Sequence, residues 1–190
     1  EQARPYVDEI VIVDTGSFDD TREIAGRYAD VLLDFEWIDD FSAARNHGLT
    51  AATGDWVLVL DADERIAQED YLLLRDAMSD ASLDGYYLRN RSYMDTPIGS
   101  WQPVAPDDPY ARSYRGFTSH PIMKFFRRAS QIKYVGRVHE VVDESVAESR
   151  RGSLDVIIHH YGDDNPQRPR RERVLRYLEI MDQELAERDD

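Results

Sequence analysis

Residues 57–64 read Val-Leu-Val-Leu-Asp-Ala-Asp-Glu, an apolar run that stops on two carboxylates, Asp61 and Asp63, with one small residue between them. The run reads as a buried parallel strand, and groups just past its carboxyl end lie at the edge where open α/β sheets bind ligands. Two aspartates at this spacing suit a hard divalent cation that bridges protein oxygens to a diphosphate. The competing reading is a solvated strand-to-helix turn in which one aspartate caps the next helix. Spacing alone does not separate the two.

Asp14 follows an earlier apolar run as Asp61 follows this one. On parallel strands both would reach the same edge, where a carboxylate can accept hydrogen bonds from a base or a ribose. Gly16 would permit a turn with positive φ, and Asp19, Asp20 and Thr21 read as a helix start. In Phe41-Ser-Ala-Ala-Arg-Asn46, Arg45 and Asn46 stand on an otherwise apolar helix. The planar fork of Arg45 suits a phosphate or a carboxylate, but an ordinary salt bridge to Asp39 or Asp40 fits the spacing slightly better. Glu140, in Gly136-Arg-Val-His-Glu140, could act as a general base, with His139 orienting it or contacting substrate. Taken singly, such Glu and His residues are mostly surface groups. His159 and His160 end a strand, so alternation sends one to each face, and one of them could reach the edge as a metal ligand. Arg168, Arg170, Arg171 and Arg173 form a basic run, best read as pairing with surface carboxylates.

The elements that must position these groups alternate through the first half of the chain. Residues 9–13, 30–35 and 56–60 read as strands, and residues 20–28, 41–52 and 68–78 as helices. Asp20 and Glu23 have capping-box spacing, and Gly54 would close the second helix. Such alternation predicts a parallel sheet with covering helices. Residues 85–93, 121–127, 131–134 and 154–158 read as later strands, the last three as antiparallel additions. Residues 95–119 hold four prolines and two glycines and read as a long functional or mobile loop. Residues 167–187 read as a strong helix with Val174, Leu175, Leu178, Ile180, Met181 and Leu185 along one side.

Composition narrows the function. The 190 residues suffice for one domain with a sizeable core. A net charge of −15 disfavours nucleic acid as a partner, yet admits a nucleotide if a metal supplies positive charge. Without cysteine there is no disulfide framework, thiolate metal site or cysteine nucleophile, which is compatible with a cytoplasmic location. No apolar stretch approaches the roughly 20 residues that span a bilayer.

Taken in order, Asp14-Thr-Gly-Ser-Phe-Asp-Asp-Thr21, Phe41–Asn46, Leu60-Asp-Ala-Asp-Glu64, Gly136-Arg-Val-His-Glu140 and His160-Tyr-Gly162 resemble the family-2 glycosyltransferases of GT-A fold. The resemblance implies an α/β fold with a Rossmann-like, mixed and mainly parallel sheet under covering helices. It also implies metal-dependent, inverting transfer of a sugar from a nucleotide-diphosphate sugar, a UDP-sugar foremost, to a protein, lipid or glycan acceptor. Asp14 would contact uracil or ribose, and Arg45 with Asn46 would lie near the diphosphate. Asp61, Asp63 and His160 would hold Mn²⁺ or Mg²⁺, with Asp61 also close to the nucleotide. Glu140 would be the base, with His139 beside the substrate, and residues 95–119 would cover the acceptor. The family normally places a strand ahead of Asp14, so residues 1–190 read as one GT-A domain lacking its first βα unit and ending before C-terminal repeats. An exposed strand edge would then leave a homodimer open as an assembly.

Other readings compete. A haloacid-dehalogenase-type phosphatase also puts Asp-x-Asp after a strand, but Arg65 stands where it requires Thr or Val. A sugar nucleotidyltransferase shares the sheet and the metal chemistry. A non-catalytic domain that binds sugar or a protein partner would keep its binding in Asp63→Ala.

Overall fold

The computed structural model describes residues 2–162 and 170–188. The chain builds β1 (Val11–Asp14), α1 (Thr21–Gly26), β2 (Val31–Asp34), α2 (Phe41–Ala51), β3 (Trp56–Leu58), β4 (Glu64–Ile66), α3 (Asp70–Ala77), β5 (Gly85–Met94), β6 (Gln102–Pro103), β7 (Gly116–Arg127), β8 (Arg151–His160) and α4 (Arg170–Arg188). β1 and β2 pair in parallel, from Val11 opposite Val31 to Asp14 opposite Asp34, with α1 as the crossover. A second, larger sheet runs β3-β7-β5-β8-β4, with β6 on the free end of β7.

The mixed α/β architecture with covering helices stands. The parallel share is smaller than the alternation suggests, because β3, β5 and β6 all pair antiparallel to β7, and β4 pairs antiparallel to β8. Besides β1 with β2, the parallel pair is β5 with β8. β3 is therefore not a parallel strand. The long β7 takes the place beside it, and hydrophobic periodicity cannot report strand direction. β8 is likewise antiparallel only on its β4 side.

Several local expectations are corrected. No helix follows Asp61 and Asp63; the chain turns back at once into β4, and the Glu64 N–H donates to the Asp61 carbonyl (3.0 Å). Asp20 makes no side-chain cap to α1; Asp19 does that work, accepting from the Thr21 N–H (3.0 Å). Asp40 caps α2, accepting from the Ala43 N–H (2.8 Å) and the Ser42 hydroxyl (2.8 Å). α2 ends at an extended Ala52 rather than at Gly54, whose carbonyl accepts from Arg128 instead (2.6 Å). Residues 131–134 are not a strand: Ile132 and Tyr134 are buried by packing, not by a ladder. The loop after β5 is shorter than residues 95–119, since Thr118 and Ser119 already pair with β5.

The larger sheet separates two apolar clusters. One holds Ile66, Tyr71, Leu74, Tyr86, Leu88, Phe125, Val156 and Ile158, covered by α3. The other holds Met123, Phe126, Ile132, Tyr134, Val142 and Val146, with Leu49 of α2 against it. α4 contributes buried Ile180 and the Tyr177 ring, which meets Phe41 edge-on (5.7 Å), whereas Val174, Leu175, Leu178, Met181 and Leu185 are exposed. Its apolar side is thus not the side it packs. Arg168 lies outside the described residues, as do the side chains of Arg170, Arg171 and Arg173.

Candidate active site

The turn after β3 places Asp61 among cations. Its Oδ1 lies 3.0 Å from Arg45 Nη1 of α2, and its Oδ2 accepts from Lys124 Nζ (2.9 Å) and Arg45 Nη2 (3.2 Å). Burial opposes its ionisation, but Lys124 and then Arg45 outweigh that and hold the carboxyl well below the usual range. Arg45 is likewise penalised by burial and held charged chiefly by Asp61. The expected pairing of Arg45 with Asp39 or Asp40 does not occur: Asp39 pairs with Arg176 (2.6 Å), and Asp40 is the helix cap.

Lys124 is the residue that sequence reasoning missed. Its side chain is 5% exposed, and its ammonium sits 2.6 Å from the carboxylate of Glu64, whose side chain is 2% exposed. A register shift opposes Tyr86 to Phe125 and Tyr87 to Met123, so Lys124 is the extra residue of a β-bulge in β7. Bulges re-aim one side chain, and here the ammonium is turned toward Asp61 and Glu64. A lysine inside the apolar run Ile-Met-Lys-Phe-Phe was the available signal.

Asp63 points elsewhere. Its Oδ2 lies 3.5 Å from His160 Nε2 at the end of β8, and His160 Nδ1 is hydrogen-bonded to the Ser92 hydroxyl (3.0 Å). The bond to His160 leads the effects that lower the Asp63 pKa. A Cβ added at Gly162 would overlap the Asp63 carboxylate and come within 2.8 Å of His160 Nε2. Glycine therefore leaves a space between an oxygen and a nitrogen donor that any side chain would fill. The expected metal set of Asp61, Asp63 and His160 is thereby divided: Asp63 and His160 converge, while both oxygens of Asp61 are engaged by cations. Among the described residues, no group of three His, Asp or Glu side chains converges as a cage.

The loop carrying Glu140 is pinched at its base, where Val135 and Val141 exchange two backbone hydrogen bonds (2.9 and 3.0 Å). Gly136 takes φ +91° there, a conformation glycine permits. Glu140 accepts from Arg45 Nε (2.5 Å), so one guanidinium joins the proposed base to Asp61. Asn46 is engaged by backbone: its carboxamide donates to the Tyr134 carbonyl (2.9 Å) and accepts from the Tyr134 N–H (2.8 Å). It positions the segment entering the Glu140 loop. His139 packs edge-on against Tyr177 of α4 (5.9 Å) and is not drawn into the Arg45 cluster. Asp14, on the smaller sheet, is buried and accepts from the N–H groups of Gly16 (3.3 Å) and Ser17 (3.1 Å). The Ser17 hydroxyl leads in lowering its pKa, and Gly16 has the positive φ expected of it (+100°).

The two histidines do face opposite ways. His159 lies in an aromatic stack 3.9 Å from Tyr110 and shares a 2.9 Å hydrogen bond with the Tyr93 hydroxyl. Burial, aided by Arg91, lowers its pKa from 6.5 to about 4. The unfolded chain takes up a proton near pH 6.5 that the folded chain refuses until about pH 4, so this contribution to stability is complete above 6.5 and is lost as pH falls through that window. The loss amounts to roughly 3 kcal/mol. An NMR titration is expected to leave the His159 ring resonances unmoved down to about pH 5; a midpoint near 6.5 would show a solvated ring.

The family model "Glycosyl transferase family 2" matches residues 1–138. The chain belongs to that family. A TPR repeat-containing protein of Synechococcus elongatus is 34% identical over 187 residues, covering 93% of this chain and 42% of that protein. The SPbeta prophage-derived glycosyltransferase SunS of Bacillus subtilis is 29% identical over 134 residues, 70% of this chain and 28% of that one. The chain thus spans less than half the length of these relatives. In fold it is similar to S. aureus TarS residues 1–349 in complex with UDP-GlcNAc, with a TM-score of 0.56, 17% identity, and coverage of 83% of this chain and 50% of that one. A second structure of S. aureus TarS residues 1–349 gives a TM-score of 0.52 at 16% identity, covering 91% of this chain and 53% of that one. The family-2 domain is therefore of GT-A fold. Among the described residues, no helix is long and apolar enough to cross a membrane.

Proposed function

We propose that this domain transfers a sugar from a UDP-sugar to an acceptor nucleophile with inversion at the anomeric carbon, assisted by Mg²⁺ or Mn²⁺. The observation that carries the reading is the convergence of Asp63 and His160 beside the Arg45–Asp61–Glu140 cluster. The similarity in fold to TarS structures holding UDP-GlcNAc and UDP supports the choice of donor.

Asp63 and His160 would hold the metal, with diphosphate oxygens and water completing its shell, as hard cations bound through one or two protein ligands do. When bound, the ion would stabilise the charge that gathers on the departing diphosphate. Ser92 fixes the His160 ring, the kind of outer contact that sets ligand orientation. Arg45 would meet the diphosphate by loosening its hold on Glu140. Asp14 offers an ionised acceptor to the base or ribose. Glu140 would take the proton of the acceptor as the new bond to the anomeric carbon forms on the face opposite the departing UDP. A single displacement inverts that carbon.

The products test this reading. Incubation of the full-length protein with UDP-sugars, Mg²⁺ and an acceptor is expected to release UDP as the sugar passes to the acceptor, or more slowly to water where no acceptor is supplied. Pyrophosphate formed from UTP and a sugar phosphate would identify a nucleotidyltransferase instead, and free phosphate a phosphatase.

A further inference from the structure

The loop carrying Glu140 is held at its base by the Val135–Val141 pair and at Glu140 by Arg45. A further hold comes from α4. The Arg137 N–H donates to Glu184 (3.4 Å), the Arg137 guanidinium pairs with Glu187, and the His139 ring meets Tyr177 (5.9 Å). The pair with Glu187 is exposed and the bond to Glu184 is long, so both are weak restraints. The ring contact is edge-to-face, with 77° between the planes, a favourable aromatic geometry.

His139 is the residue whose backbone sets the direction of Glu140. It has φ +57°, in the left-handed region that non-glycine residues avoid. Strained backbone of this kind persists where the surroundings over-determine it. Relaxation at this φ would swing the next residue, Glu140, away from Arg45. Tyr177 is itself fixed against the domain. It meets Phe41, the first residue of α2, edge-on (5.7 Å), and Ile180, almost one turn further along α4, is buried. Arg176 pairs with Asp39 just ahead of α2 (2.6 Å), and the Phe41 N–H donates to the Arg137 carbonyl (2.9 Å). Arg45 stands four residues beyond Phe41, on the same face of α2. Tyr177 and Arg45 thus hold two successive residues, His139 and Glu140, against one helix.

We propose that Tyr177 is a positioning residue that keeps Glu140 aimed at the acceptor once Arg45 turns to the diphosphate. When the donor draws Arg45 away, Glu140 loses its ion pair. The left-handed His139, seated against Tyr177, then keeps the carboxylate in place. This role rests on Glu140 being the base; the hold of Tyr177 on the loop does not.

The test pairs amide hydrogen exchange with the kinetics of UDP release from UDP-glucose and UDP-GlcNAc with Mg²⁺, on the full-length protein. Tyr177→Leu is expected to lower kcat ~10-fold or more, with the donor KM moving less than about twofold, because a small misplacement of a reacting group is costly. Exchange of the amides of residues 137–140 should quicken. Tyr177→Phe keeps the ring and should keep both turnover and slow exchange. On top of Glu140→Gln, Tyr177→Leu should cost less than about twofold, since its effect runs through Glu140, whereas independent losses would multiply. Glu184→Ala, at the edge of the contact, should move exchange and kcat the same way to a smaller degree, and it serves if Tyr177→Leu does not fold. Unchanged kcat in Tyr177→Leu, or a loss that multiplies with that of Glu140→Gln, overturns the positioning role. Unchanged exchange overturns the hold itself. Quickened exchange beside full turnover in Glu140→Gln upholds the hold and removes Glu140 as the base. No UDP release by the unaltered protein counts against the donor reading, and exchange still decides the hold.

Discussion

Lys124→Met is expected to lower the melting temperature by roughly 6–20 °C, following a loss of about 3–5 kcal/mol. Lys124 is the cation between Glu64 and Asp61. Without it, Asp61 keeps Arg45, but among the described residues Glu64 keeps only the Asp61 N–H (2.8 Å) and stands in the core without a counter-ion. Removing one partner of a buried pair is costly for this reason, whereas replacing both with apolar side chains is often close to neutral. Glu64→Leu combined with Lys124→Met should therefore recover most of the stability lost in Lys124→Met alone. Thermal unfolding of the three proteins checks this; an unchanged melting temperature in Lys124→Met would mean that the pair does not support the bulge.

Glu140→Gln is expected to reduce turnover about 10²–10⁴-fold, the usual contribution of a positioned general base. The amide is close in size and can still accept from Arg45 Nε, so the loop pinched between Val135 and Val141 should keep its shape. The loss should fall on kcat, with KM for the donor within a few-fold, because the proton is transferred only as the new bond forms. Steady-state kinetics on the full-length protein separates the cases. A rise in KM at unchanged kcat would make Glu140 a binding group that acts through Arg45.

Some of this site was legible before any coordinates. Asp14, Asp61 and Asp63 each follow a short apolar run, and a carboxylate ending a strand is a local signal. His159 and His160 were separable by alternation alone, and the structure sends one into the Tyr93–Tyr110 stack and the other to Asp63. Lys124 was not legible, because its direction depends on a bulge that arises only when β7 pairs with β5. The direction of β3 was hidden for a similar reason: an apolar strand reads the same beside a parallel or an antiparallel neighbour. The division of labour between Asp61 and Asp63 also needed tertiary contacts, since Arg45 and Lys124 reach Asp61 from distant segments. The two hydrogen bonds of Asn46 to the Tyr134 backbone also join segments far apart in sequence, so the motif Phe41–Asn46 does not show them.

The central claim is that Asp63 and His160 make nucleotide binding depend on a divalent cation. Calorimetric titration of UDP into the full-length protein, with Mg²⁺ or with chelator, tests it most directly when repeated on Asp63→Ala. Binding that requires the metal and falls about 10–100-fold or more in Asp63→Ala is the expected result. UDP binding that ignores the metal, or that survives in Asp63→Ala, would contradict the account.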